Sequence, residues 1–135
     1  MNFDKICEDN IYQYLLEQVP NFKEIYKDEI DDDDSIYYIF GRFADRFQRL
    51  QTSELQDKID EPELNELNSY YQFINNISSL PLDTYTEELL AYGFFENLDV
   101  SSNNFRENLL NRLGDNAKEL FLDAEKFWSN KQGRR

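Results

Sequence analysis

The sequence predicts an all-α fold: a single compact domain of six or seven short helices packed as antiparallel hairpins. Three observations carry that prediction. Apolar residues recur at three- and four-residue steps along most of the 135-residue chain. Only four Gly and three Pro are present, too few for the many tight turns of an all-β chain. Aromatic residues reach 16%, with eleven Phe and nine Tyr, enough apolar area to offset the entropy of ordering an acidic chain. The domain is expected over residues 1–130, with 131–135 as a loose C-terminal tail.

The first helix is expected from about Phe3 to Val19, because Ile11, Leu15 and Val19 share one stripe with Tyr12 and Leu16 beside it. Pro20 ends it or begins the next, in which Phe22, Ile25 and Tyr26 are the apolar residues. Ser35 then opens a third helix, where Ile36, Ile39, Phe40, Phe43, Phe47 and Leu50 form an apolar stripe. Gly41 lowers helix propensity there and is expected to permit close approach by a neighbour. TSELQDKIDEPE reads as a polar connection with room for one helical turn. Pro62 sits in the first turn of the fourth helix, whose inward residues are Leu64, Leu67, Tyr70, Tyr71, Phe73, Ile74 and Ile77.

Pro81 marks a stop, and Thr84 with Glu87 has capping-box spacing for the next helix. That helix contains LLAYGFFENL, apolar almost all round, and is therefore expected at the centre. Asn104 with Glu107 suits another cap, and Phe105, Leu109, Leu110 and Leu113 continue the core. Gly114 is placed to take the left-handed conformation that ends a helix. Asp115 or Asn116 caps the last helix, with Ala117, Leu120, Phe121, Ala124, Phe127 and Trp128 inward.

Charge and composition exclude several functions. The formal charge is −14, from 28 acids and 14 bases, which repels phosphate and anionic lipid and attracts a basic protein. Direct nucleic-acid or membrane-surface binding is not expected. Cys7 is the lone cysteine and there is no histidine, which removes an intrachain disulfide, a cysteine metal cage and every imidazole-based triad. No phosphate loop, metalloprotease or nucleophile-elbow motif occurs. Glu87 with Glu88, or Glu17 with Glu24, are carboxylate pairs of the sort any acidic helical protein shows. No cofactor, metal site or catalytic residue is assigned. The start of the chain lacks the features of a signal peptide, and no stretch suits a membrane span, so a cytoplasmic address is expected.

The segment IDDDDSIYYIF puts four aspartates directly against an aromatic run. A calcium loop would alternate its ligands and place a glycine at the turn, whereas these acids are consecutive. The positive pole of the helix opened by Ser35 accounts for one or two of them. A partner surface is the third reading. Asp31, Asp32, Asp33 and Asp34 would then steer a Lys/Arg patch, with Tyr37 and Tyr38 as anchors. If Ile36, Ile39, Phe40 and Phe43 face inward, at least one of these tyrosines is partly exposed. Arg42, Arg46 and Arg49 lie along one face of the same helix and are expected to pair with nearby acids.

ELLAYGFFENL, followed by LLNRLGDNAKELFLDAEKFW, resembles a group of small acidic helical bacterial proteins, some of them similar to immunity proteins of toxin–immunity systems. The likeness spans residues 88–128 and its motifs are structural. It implies a fold and a neighbourhood and transfers no active site. With the charge and the Asp/Tyr segment it leads to the expectation of a non-enzymatic inhibitor that neutralises a basic toxin domain by occlusion through an acidic, tyrosine-flanked surface. A phage-type inhibitor or DNA mimic, and a self-associating structural adaptor, are the alternatives.

Overall fold

In a computed structural model of the chain, residues 5–25, 28 and 35–132 are described, without the side chains of 23, 25 and 128–132. The described residues are helical, with one isolated backbone bridge and no strand. Helices α1 (Ile11–Gln18) and α2 (Asn21–Ile25) lead to the two long helices α3 (Ile36–Leu55) and α4 (Glu61–Ser78). Helix α5 (Thr84–Glu88) runs into a π-helical segment (Leu89–Phe94) and a 3₁₀ turn (Phe95–Asn97). Helices α6 (Asn103–Arg112) and α7 (Asp115–Gln132) complete the fold.

Helix α3 organises the rest. Ser35 Oγ accepts the Tyr38 N–H at 3.2 Å, the expected cap. Ile39, Phe40, Phe43, Ala44, Phe47 and Leu50 form its buried stripe. The helix continues through Leu55, well into the segment expected to be a polar connection. That extension is held by side chains: buried Gln51 donates to Glu54 at 2.9 Å and accepts the Tyr71 hydroxyl at 2.5 Å. Asp57, at φ 55°, turns the chain toward α4. Asp60 and Glu63 then form a reciprocal capping box at 2.9 and 3.2 Å. Helices α3 and α4 run antiparallel, with Phe40 against Phe73 and Arg46 against Glu66.

The core is aromatic. Phe43 meets Phe22, Phe40, Tyr70 and Phe73 edge-on at centroid distances of 4.9–5.9 Å, and Phe94 stacks on it at 5.1 Å. Phe94 and Phe95 are both fully buried: Phe94 faces Phe43 and Phe47, while Phe95 faces Phe121 of α7. The LLAYGFFENL segment is thus central, as its composition implies. It is not one regular helix, however: the Phe95 N–H is shared between the carbonyls of Leu90 and Ala91.

Several local expectations are corrected. Helix α1 begins at Ile11, since the backbone of Ile6 pairs with Pro81 and Asp83 rather than within a helix. The Asn10 side chain holds that segment open, accepting from the Cys7 N–H and donating to the Lys5 carbonyl, both at 2.9 Å. Asp83, not Thr84, caps α5 by accepting the Thr86 N–H at 2.9 Å. Ser102, not Asn104, caps α6. Gly114 is not left-handed; Leu113 leaves α6 in extended backbone, and the Gly114 N–H donates to Asn75 Oδ1 at 2.8 Å. Helix α7 starts at Asp115, so neither Asp115 nor Asn116 stands before it as a cap. A Cβ on Gly41 would meet only Asn97 at 3.9 Å, so no close approach requires glycine there. Tyr26 and residues 133–135 of the expected tail lie outside the described residues, as does the side chain of Trp128.

Arginines tie the helices together. Arg46 binds Glu66 through two bonds of 2.8 and 2.7 Å, and Glu66 also accepts the Tyr70 hydroxyl. Arg106 of α6 binds Glu125 of α7 at 2.9 and 2.5 Å. Arg112 reaches back to Glu54 at 2.7 Å and to Asn68, with its guanidinium 4.1 Å from the Tyr71 ring centroid. Arg42 pairs with Asp45 at 3.3 Å, and Arg49 is exposed. No helix among the described residues is long and apolar enough to cross a membrane.

Removing the Phe43 ring by Phe43→Ala is expected to cost about 3–5 kcal/mol, read as a lower urea midpoint. Burial pushes the Tyr71 hydroxyl far above its ordinary value; Arg112 pulls it back and Glu54 pushes it up. The unfolded chain therefore loses that proton first. The resulting stability is complete below pH ~10 and falls as pH rises, by up to ~1.4 kcal/mol per pH unit. Urea midpoints between pH 9 and 12 should decline less steeply in Tyr71→Phe than in wild type.

Candidate functional site

The surface around the start of α3 is built by the inward demand of that helix. With Ile39, Phe40 and Phe43 buried, helical spacing turns both Tyr37 and Tyr38 outward, at 39% and 46% exposure. The Tyr37 ring meets Tyr85 of α5 edge-on at 6.1 Å. Desolvation raises the pKa of Tyr37, helped by the Glu88 carboxylate and then by Tyr92. Tyr85 is raised for the same leading reason, with Glu8, Tyr37 and Asp83 adding to it. Four elements therefore meet here: the turn before α1, the start of α3, α5 and the π-helical segment. Of the six residues singled out in sequence, Tyr37 and Tyr38 belong to this face. Asp31, Asp32, Asp33 and Asp34 precede the Ser35 cap in the chain and lie outside the described residues.

Gly93 makes this packing possible. A Cβ there would lie 2.9 Å from Leu89 Cδ1, 3.4 Å from Tyr37 Cδ1 and 3.5 Å from Phe40 Cβ. The glycine lets α3 rest directly on the π-helical segment, which leaves Tyr37 held at the seam. Close approach by glycine, expected at Gly41, occurs instead on the other partner of the contact.

Next to this face, α7 and the π-helical segment enclose a cleft of about 320 Å³. Ala91, Leu120 and Ala124 contribute its apolar lining, and the two alanines leave the room. Tyr92 and Phe127 lie across it with ring centroids 5.8 Å apart. Glu87, Glu88 and Asp123 complete it, and none of the three is ion-paired among the described residues. Phe127, expected inward, is 49% exposed. The inward stripe of α7 runs Ala117, Phe121, Ala124, and Phe127 falls at its edge, beside the cleft.

Sequence reasoning missed Tyr85, Tyr92, Phe127 and Asp123 as surface residues. The spacing 85–88–92 and 120–123–127 marks two helix faces, yet only their packing places those faces opposite one another. The arrangement offers exposed rings, carboxylates with no ion pair among the described residues, and a small apolar recess. Among the described residues no group of three or more His, Cys, Asp or Glu side chains is arranged to hold a metal ion.

Residues 12–129 match the family described as Domain of unknown function (DUF7674), and the chain belongs to that family. The match begins inside α1 and ends inside α7, so it takes in the start of α3, α5 and the π-helical segment but not the turn before α1. No curated protein and no solved structure matches the chain.

Gly93→Ala is expected to destabilise the fold by about 1–3 kcal/mol, because the methyl group needs space already taken by Leu89 and Tyr37. Aromatic proton spectra of the variant should show shifted Tyr37 and Tyr85 resonances, whereas Gly41→Ala should leave both in place.

Proposed function

We propose that this member of the DUF7674 family is a non-enzymatic, cytoplasmic protein-binding inhibitor, most simply an immunity protein that neutralises a basic toxin domain. The observation that carries this reading is the paired exposure of Tyr37 and Tyr38, directly after the aspartate run, on a chain of net charge −14. Two large rings left partly exposed on one helical turn suit the anchors of an interface. The internal arginine pairs support the same reading. Arg46, Arg106 and Arg112 are committed to inter-helix bridges, so much of the surplus acid remains facing solvent.

Inhibition works by occlusion. Long-range attraction brings a cationic surface of the toxin to the acidic face, raising the association rate. The tyrosines then exclude water at the centre of the contact and slow dissociation. The cations covered in this way are those the toxin uses to hold phosphate, so no bond need be made or broken.

The test uses the basic domain encoded in the reading frame adjacent to this gene. Replacing residues 31–34 by Asn should lower kon roughly tenfold at low salt and leave it nearly unchanged at 1 M salt. Tyr37→Ala with Tyr38→Ala should instead raise koff. A kon indifferent to the four substitutions at low salt, or no complex at all with that neighbour, would sink the proposal.

A further inference from the structure

We infer that the cleft between the π-helical segment and α7 is a receptor for one arginine side chain of the partner. The inference rests on the reading of this chain as a protein-binding inhibitor and names the group that one part of its surface takes.

The argument is chemical complementarity. At about 320 Å³ the recess lies at the bottom of the range for ligand pockets, suited to one side chain rather than a whole cofactor. Its lining combines the faces and edges of Tyr92 and Phe127 with apolar Ala91 and Ala124. Those groups favour the alkyl stem and flat guanidinium of arginine, which stacks on rings and is more weakly hydrated than an ammonium. Glu87, Glu88 and Asp123 provide negative charge, and none of the described lining residues is Lys or Arg. An anionic ligand would be repelled. A purely apolar one would leave three carboxylates partly desolvated without a partner. A second copy of this chain, itself at −14, is disfavoured for the same reason.

Irregular backbone adds a second, independent observation. The π-helical turn at Leu89–Phe94 buries Leu90, Gly93 and Phe94 while leaving Ala91 and Tyr92 at the cleft. Single-turn π segments inside helices concentrate at functional sites, since the wider turn redirects side chains. Here it brings the Tyr92 ring into edge-on contact with Phe127 at the cleft wall.

The probe is N-acetyl-arginine amide, titrated into the whole chain and followed by aromatic ¹H–¹³C spectra. Saturable shifts centred on Tyr92 and Phe127 are expected, with no comparable response to the uncharged norleucine analogue. Phe127→Ala should weaken binding roughly threefold, and Glu88→Gln with Asp123→Asn roughly fivefold, both with unchanged circular dichroism. Equal binding of the norleucine analogue, or shifts spread over the acidic surface without preference for the cleft, would overturn the inference. So would a tenfold gain in affinity on deleting residues 133–135, since the occupant would then be the chain's own Arg134 or Arg135. Arginine binding together with an indifferent toxin partner would refute the inhibitor reading and leave the cleft standing. The reverse pattern would refute the cleft alone.

Discussion

The ring of Phe43 sets the terms for the whole molecule. Five other rings, from α2, α3, α4 and the π-helical segment, touch it. Each such contact adds about 0.5–1.5 kcal/mol to the area it buries. No single helix could hold Phe43 out of water, so the elements must assemble together. Helix α3 supplies the ring, α4 closes one side with Tyr70 and Phe73, and the π-helical segment closes another with Phe94. Once Phe94 is committed to Phe43, Phe95 must find cover elsewhere, and it does so on Phe121 of α7. One crowded contact therefore positions both long partners of the central segment.

That same commitment creates the surface. A segment covered by α3 on one side and α7 on the other has little room for outward side chains. Tyr92 and Ala91 emerge at the seam with α7, while Tyr37 of α3 sits where α3 meets the segment. Gly93 sits between these two exits and is buried for want of space. The aromatic groups that reach solvent are thus by-products of how the core is closed. Their carboxylate neighbours, Glu87, Glu88 and Asp123, sit on α5 and α7 and form no ion pair among the described residues. The arginines that could have neutralised them instead link α3 to α4, α6 to α7 and α6 to α3.

Much of this was legible in the sequence because helical burial follows a period. The stripes of α3 and α4 were read almost residue by residue, and Ser35 capped where its hydroxyl and the following apolar run required. The same rule placed at least one of Tyr37 and Tyr38 outside, and the structure exposes both. Caps were less legible wherever two candidates stood together. Asp83 and Thr84 are both good caps, and Asp83 prevails because Thr86 donates to it through backbone and hydroxyl alike. Ser102 similarly prevails over Asn104. The single turn allowed after Gln51 is the continuation of α3, and that continuity was hidden because it depends on Tyr71 and Arg112, residues far away in the chain.

What the sequence determined by itself was the class of the fold, the central place of LLAYGFFENL, the outward turn of at least one of two tyrosines and an unbalanced negative charge. These follow from periodicity and composition, which are local or additive. The tertiary structure alone decided that the central segment widens into a π turn and that glycine is needed at 93 rather than 41. It also decided that Phe127 leaves the core and that faces from α5 and α7 enclose a recess. Those outcomes hang on which helix lies against which, a matter settled by long-range packing of rings and arginines that no local pattern encodes.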